Sequence, residues 1–446
     1  MTQNSSSSKS VSVGWWLATA LLLVVGVAGV VLELGGNGAA SVAADNPPAP
    51  LNTGDTGWML AASALVLFMT PGLSFFYGGL VRKKNLISTM LQSFVAMGVV
   101  SVAWVVVGFS LAFGDSIGGV IGNPFTFFFM KGVGGATHPD FSPTIPFALF
   151  ALFQMKFAII TPALITGAFA ERVRFSAYLV FILIWSLLIY SPIAHMTWHP
   201  NGLLRVWGVL DFAGGTVVHM SAGIAALAGA LFFGPRLRSE HEPSNVPFVL
   251  LGAGMLWFGW FGFNAGSALA ANETATLAFL NTNTASAAAM LMWIFVDVIK
   301  GKKPSATGGA IGAVVGLVAI TPGAGFVSLG SSVIIGVIGA LVSNLISEWR
   351  SSRTGLDDTL DVFPCHGVGG LTGMLLTGVF ATSGGLITGE TTLFTKHLAT
   401  AVIVSVFFFL SSWIVYKITD YITPLRVKAS EEDQGLDLSQ HNETVV

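Results

Sequence analysis

Two histidines carry the chemistry that this sequence can do. His219 closes Gly215-Thr216-Val217-Val218-His219, and His366 sits in Pro364-Cys365-His366-Gly367; in both stretches a glycine, Gly223 or Gly370, follows four positions later. An ionisable side chain inside an apolar stretch long enough to cross a membrane marks a functional site by default. Imidazole is also the side chain whose ordinary pKa, about 6.5, allows proton exchange near neutrality. A packed, hydrogen-bonded core histidine explains one such residue more easily than two at matching places. Imidazole can ligate transition metals as well, but the stretches around this pair offer few further Cys, His or carboxylate ligands. The single cysteine, Cys365, excludes a cysteine cluster and an intrachain disulfide. Proton handling is the preferred chemistry, and no metal or other cofactor is expected.

Other groups stand close to the histidines in sequence. Asp211 precedes His219 by eight residues, which at about 1.5 Å per residue puts His219 roughly 12 Å into a helix that starts at the aspartate. Asp211 is read either as the cap of that helix or as a balance for cationic charge at an entrance. Trp198, Phe157, Trp260 and Phe263 are aromatic, and Ser267 lies one turn beyond Phe263. A cation over an aromatic face gains about 0.5–2 kcal/mol, so these residues could wall a vestibule for a small cation; aromatics also anchor helices at membrane interfaces. No hydrolytic or redox constellation is visible, and an enzyme is not expected.

The elements that must hold these residues are membrane helices. Hydrophobic residues make up 53% of the 446 positions and charged residues 9%, against roughly 25% charged in soluble domains. A span needs about 20 apolar residues, and such stretches fall near 57–81, 90–113, 145–170, 176–194, 211–234, 247–270, 278–300, 306–321, 326–347, 365–382 and 395–417. The fold class expected is an all-α integral membrane protein of eleven transmembrane helices. Five spans separate the two histidines, an odd number, so their segments run in opposite directions. Spans 1–5 and 6–10 therefore read as inverted five-helix repeats with one extra helix, an arrangement that places a substrate site near the midplane.

Alternate joints disagree in charge: fifteen Lys and Arg fall on the side of the C-terminus and three on the other. Cytoplasmic loops are rich in Lys and Arg, which puts the mature N-terminus outside and the C-terminus inside. Residues 1–44 read as a cleavable signal peptide, with Lys9, an apolar run from Val13 to Leu32 and small residues up to Ala44; the alternative is a retained anchor helix. The expected domains are then 1–44 signal, 52–417 transport bundle and 418–446 cytoplasmic regulatory tail. A net charge of -2 spread over joints and tails gives no nucleic-acid surface.

The stretch Asp211-Phe212-Ala213-Gly214-Gly215-Thr216-Val217-Val218-His219 resembles the signature of the ammonium transporter/Rhesus family, Amt branch. Gln154 to Thr161, Ala168 to Arg172, Pro192 to Trp198, Gly259 to Ser267 and Asp361 to Gly370 match as well, so the resemblance runs from about residue 55 to the tail. It implies a homotrimer in the bacterial plasma membrane, each protomer with its own narrow pore for ammonium and ammonia. By motif, Phe157 and Phe263 resemble the stacked gate, and Trp198 with Ser267 and Phe157 the outer recruitment site. Asp211 resembles the acidic residue near that site, His219 and His366 the twin pore histidines, and Trp260 a pore-lining aromatic. The tail stretch Gly435 to His441 resembles the family's docked tail, which in bacterial members contacts the PII signal protein.

The physical problem for such a protein is to pass ammonium and reject potassium. A dry interior disfavours the charge, and only ammonium can shed a proton and continue as neutral ammonia. The expected mechanism is deprotonation near the gate, ammonia passage by the histidines and separate proton transfer; the alternatives are a passive gas channel for ammonia or carbon dioxide and an ammonium receptor. Lys156, beside Phe157, would repel the ion if it faced the pore, but a helical neighbour points about 100° away.

Overall fold

The computed structural model describes residues 13–32, 49–238 and 242–445. The expected signal-cleavage region around Ala44 and the leading Lys9 lie outside the described residues. A helix covers Val13–Leu32, with most of its side chains from Trp15 onward exposed, and the bundle begins with span 1, Thr53–Leu80.

Polar caps start several spans where the sequence turns from polar to apolar. Asn52 accepts from Gly54 and Asp55 N–H ahead of span 1, and Asn245 from Phe248 N–H ahead of span 6, Val246–Gly266. Asn272, Ser305 and Ser328 do the same for span 7 (Glu273–Ile299), span 8 (Ala306–Ile320) and span 9 (Leu329–Arg353). Each cap satisfies N–H groups that the first helical turn leaves unpaired. Span 2 begins at Leu86, span 3 is Phe147–Ile165, and span 4 begins at Phe175 and ends at Trp198.

All eleven apolar stretches expected beyond residue 52 are helical. Ten of them, together with the N-terminal helix, are long and apolar enough to cross a bilayer. Span 8 is the exception at 15 residues, about 22 Å against a hydrocarbon core of about 30 Å. Span 11, Thr392–Ile422, runs past the expected end at 417, so the tail leaves the bundle later than the apolar pattern predicts.

Glycine decides how the repeats meet. Spans 1 and 6, the first helices of the two repeats, lie side by side, and a Cβ on Gly252 would come within 2.3 Å of Phe76 N. Spans 5 and 10 cross still more closely: a Cβ on Gly223 would stand 1.9 Å from Gly367 N. Small residues allow such backbone contact in lipid. Gly223 is the residue four positions beyond His219, so the shared glycine spacing serves the crossing that brings the two histidines together.

Both histidine segments begin as π-helical turns, Gly215–Met220 leading into Ser221–Phe233, and Phe363–Val368 leading into Gly369–Phe380. Pro364 occupies the first turn of span 10 rather than interrupting it. At that position the missing proline N–H costs no helical hydrogen bond. The break in the chain comes earlier, at Asp361, whose φ is +55°.

Candidate functional site

The two histidines meet at the centre of the bundle. His366 Nδ1 and His219 Nδ1 are 3.3 Å apart, with ring centroids 5.4 Å apart and the planes 25° from parallel. Both residues are buried. One Nδ1 must donate and the other accept, so the contact holds a single shared proton. His219 Nε2 is buried with no hydrogen-bond partner among the described residues. Trp260 stacks on His219 at 5.2 Å and donates through Nε1 to Thr321 Oγ1 at 2.9 Å, which fixes the indole against the imidazole.

The space around the pair is narrow and apolar. His219 and His366 line a cavity of about 10 Å³ with Ile160, Leu164, Trp260 and Phe263, roughly the room that one water needs.

Above the histidines, Phe157 and Phe263 stack with centroids 4.1 Å apart and planes 26° from parallel. Phe263 lines the narrow cavity and Phe157 a larger one, of about 260 Å³, so the stacked pair separates the two spaces. The larger cavity brings together Phe157, Trp198, Asp211 and Ser267, together with Gln154 and Arg205. Trp198 meets Phe157 edge-on at 5.8 Å and donates through Nε1 to the Asp211 carbonyl at 3.1 Å. Ser267 Oγ donates back to the Phe263 carbonyl at 2.8 Å, which leaves its lone pairs free to accept.

Asp211 caps the His219 segment with both carboxylate oxygens. Oδ1 accepts from Gly214 and Gly215 N–H at 2.8 and 2.7 Å, and Oδ2 from Thr216 and Val217 N–H at 2.8 and 3.3 Å. Four N–H groups converge on one side chain because Gly214 turns the backbone at φ +113°, a conformation that favours glycine. The capping reading of Asp211 is thus realised in the geometry, while its place in the cavity wall leaves the electrostatic reading open to test.

Lys156 does not line any of these cavities. It continues the seam of Ala148 and Leu152, the two exposed positions of span 3, and its nearest polar contact is Met155 Sδ at 3.8 Å. Lys156 is itself buried, and its place on that seam sets it on a different face of the helix from Phe157.

Three residues that sequence reasoning did not single out belong to the constellation. Gln154 Oε1 is buried at the cavity with no partner, and its signal was a polar residue one turn before Phe157. His397, in span 11, accepts from Leu210 N–H through Nε2 at 3.0 Å and contacts the Met374 carbonyl through Nδ1 at 2.8 Å. It thereby holds the residue before Asp211, and nothing local in the sequence announces that contact. Asp358, eight residues before His366, repeats the spacing of Asp211 and His219.

The opposite mouth opens into a cavity of about 550 Å³ walled by charged side chains, Arg236, Arg350, Asp357, Asp358 and Asp361 among them. Glu171 sits between Arg82 and Arg236, and Arg236 pairs with Asp357 at 2.9 Å. Burial alone would raise the carboxyl pKa values of Glu171 and Asp357, but the hydrogen bonds from Arg82 and Arg236 prevail and hold both below the ordinary range. The tail lies on this same face. Asp437 accepts from Ile87 and Ser88 N–H at the start of span 2, His441 Nε2 lies 3.1 Å from Ser88 Oγ, and Glu432 pairs with Arg426.

Comparison with known proteins gives a consistent result. Residues 57–446 match the Ammonium Transporter Family. An ammonium transporter of Aquifex aeolicus is 46% identical over 401 residues, covering 89% of this chain and 94% of that protein. The crystal structure of Candida albicans Mep2 superposes with a TM-score of 0.80 at 36% identity, over 85% of this chain and 88% of that one. A sensor Amt protein superposes with a TM-score of 0.80 at 30% identity, over 87% of this chain and 98% of that one.

Proposed function

Because the chain belongs to the ammonium transporter family, we propose that it conducts ammonium nitrogen through the path defined by Trp198, the Phe157–Phe263 stack and the paired histidines. The observation that carries this reading is the 3.3 Å contact between His219 and His366 Nδ1 atoms directly beyond the aromatic stack. A proton-exchanging pair in a space with room for about one water suits a substrate that can divide into ammonia and a proton.

In the proposed sequence the ion is recruited in the cavity of Trp198, Phe157, Ser267 and Asp211. The indole and phenyl faces favour a cation, and the Ser267 hydroxyl and the unpaired Gln154 Oε1 supply acceptors for ammonium N–H groups. Potassium can also take oxygen ligands, but it has no N–H to donate and no proton to give up, so it cannot continue as a neutral species. At the stack the ion gives up a proton, since the apolar lumen penalises charge. Ammonia then moves along Trp260 and the histidines, with the orphaned His219 Nε2 able to accept one of its N–H groups or donate to its lone pair. The proton travels separately through the shared Nδ1 contact.

The same reading sets the protein in its surroundings. The fifteen-to-three bias of Lys and Arg supports an outward recruitment cavity and a cytoplasmic tail in a bacterial inner membrane, the first 44 residues serving as a signal peptide. Exposed apolar rings such as Phe68, Phe94 and Phe258 face lipid or neighbouring copies, in keeping with a homotrimer, and the docked tail is offered to a PII signal protein.

The test is the transient current evoked by an ammonium pulse in proteoliposomes, with potassium as control. A current specific to ammonium in the wild type and altered in both His219→Ala and His366→Ala is the expected result. Unchanged current and selectivity in both variants would remove the histidines from the mechanism. Silence from folded wild-type protein that still binds ammonium would favour the gas-channel or receptor reading.

A further inference from the structure

The inverted repeat duplicates more than the histidines. Asp211 stands eight residues before His219, and Asp358 eight residues before His366. Each carboxylate accepts N–H groups at the start of its histidine's helix. For Asp358 the donors are Val362 at 3.1 Å and Phe363 at 2.7 Å. Each aspartate is buried, at 6% and 0% exposure, and each lines the cavity at its own mouth. A helix cap needs only one such oxygen acceptor, and Ser or Asn serves as well as Asp. Capping alone thus does not call for a carboxylate at a buried site in both halves.

We propose that Asp358 is the proton-relay carboxylate of the tail-side mouth, taking the proton that arrives at His366 and releasing it to the water of the tail-side cavity. This rests on the transport reading above. The step balances simply: an imidazolium N–H bond of His366 breaks, an O–H bond forms on Asp358 through intervening water, and the neutral imidazole is restored. The carboxyl then gives its proton to water or to emerging ammonia, which leaves as ammonium. No electrons are exchanged.

The placement supports this role. The carboxylate is bonded to Phe363 N–H, three residues before His366, so about 4.5 Å of helix rise separates that N–H from the histidine backbone. The groups around Asp358 are Asp361, itself paired with Arg350 at 2.8 Å, and Tyr77, Cys365 and Tyr416 from spans 1, 10 and 11. Burial, with the Asp361 charge adding to it, pushes the Asp358 carboxyl up to about 6. A group of that strength exchanges protons in the physiological range, whereas an ordinary aspartate stays ionised there.

The experiment is the ammonium-evoked current in inside-out membrane patches while the tail-side solution is exchanged from about pH 7.5 to about pH 5. In the wild type the current is expected to fall as the tail-side pH drops through about 6, where Asp358 takes up a proton and can no longer accept one. Asp358→Asn keeps an oxygen for the two N–H groups but cannot carry a proton, so it should reduce the current and abolish this pH dependence. Asp358→Glu should restore both, which separates the relay from a purely structural role. An Asn variant with wild-type current and wild-type pH dependence overturns the proposal, as does a Glu variant that folds but behaves like Asn. A wild type without any ammonium-specific current overturns the transport reading itself, and that failure is seen before any variant is compared.

Discussion

At one mouth Asp211 shares a cavity of about 260 Å³ with Phe157, Trp198 and Ser267, while at the other Asp358 shares one of about 550 Å³ with Arg236, Asp357 and Asp361. The carboxylate and the helix start are repeated; the walls are not. Aromatic faces and free acceptors can hold a cation for a moment without binding it into an ion pair. At the charged mouth Arg236 is joined to Glu171 and Asp357 and Arg350 to Asp361, and the tail is fastened alongside through Asp437 and Glu432. On the proposed reading, repetition supplies the path, and the differences between the walls supply capture at one end and a braced opening at the other.

The largest effect is expected where both halves depend on one contact. Gly223→Ala would put a methyl carbon 1.9 Å from Gly367 N. Both atoms belong to packed helices, so the crossing must open and the histidine contact must separate. Ammonium current in reconstituted protein should be lost, and folding yield should drop. Normal current from this variant would mean that the two halves need not touch for conduction.

Breaking one mouth alone comes next. Arg236→Ala leaves the buried Glu171 and Asp357 carboxylates without their shared partner, a loss of about 3–5 kcal/mol by the behaviour of buried pairs, read as a lower melting temperature in detergent. The pH dependence has a definite sign. Both carboxyls are held below their ordinary values of 4.5 and 3.8, so their stabilisation is complete above that range and is lost as the pH falls through the lowered values. Wild-type melting temperature should therefore decline on acidification below about pH 4.5, and Arg236→Ala should flatten that decline. Asp211→Asn is the matching change at the other mouth. It retains one oxygen for four N–H donors, and two buried N–H groups left short of an acceptor cost about 1–3 kcal/mol each, less whatever cavity water recovers. The comparison sharpens if Asp211→Asn impairs ammonium selectivity and Arg236→Ala impairs only stability.

How much of this was legible from the chain varied with the range of the interaction. The spans, the inverted arrangement and the histidine pair were readable because apolar length and a repeated glycine spacing are local patterns. Asp211 was readable as a cap because a helix start lies next to it. By contrast, the Asp358 repeat is not legible in the sequence, because the irregular turn at Asp361 separates it from the helix that it caps. The link from His397 to Leu210 spans 187 residues and leaves no trace in either segment. Span 8 was legible in both position and length, expected at 306–321 and found at Ala306–Ile320, but not the contact beyond it, where Thr321 and Pro322 turn toward the Asp211 mouth and Pro322 accepts from Phe212 N–H at 3.0 Å. Lys156 lines neither pore cavity, in keeping with the roughly 100° that separates neighbours on a helix.

The smallest expected effect tests whether the aromatic wall itself attracts the ion. Trp198→Leu keeps an apolar side chain beside Phe157 but removes both the indole face and the Nε1 bond to the Asp211 carbonyl. Trp198→Phe keeps a face without the hydrogen bond. A cation–aromatic contact of about 0.5–2 kcal/mol corresponds to roughly a 2- to 30-fold change in apparent ammonium affinity. The current should therefore half-saturate at higher ammonium in Trp198→Leu, by an amount in that range, with maximal current changed less. Trp198→Phe should fall between it and the wild type. If both variants weaken affinity equally, the hydrogen bond to Asp211 is the part that matters, and the wall acts by holding the helix start rather than by facing the cation. If neither changes it, recruitment rests on Ser267, Gln154 and the carboxylate, and the contrast between an aromatic and an ionic mouth loses its functional meaning.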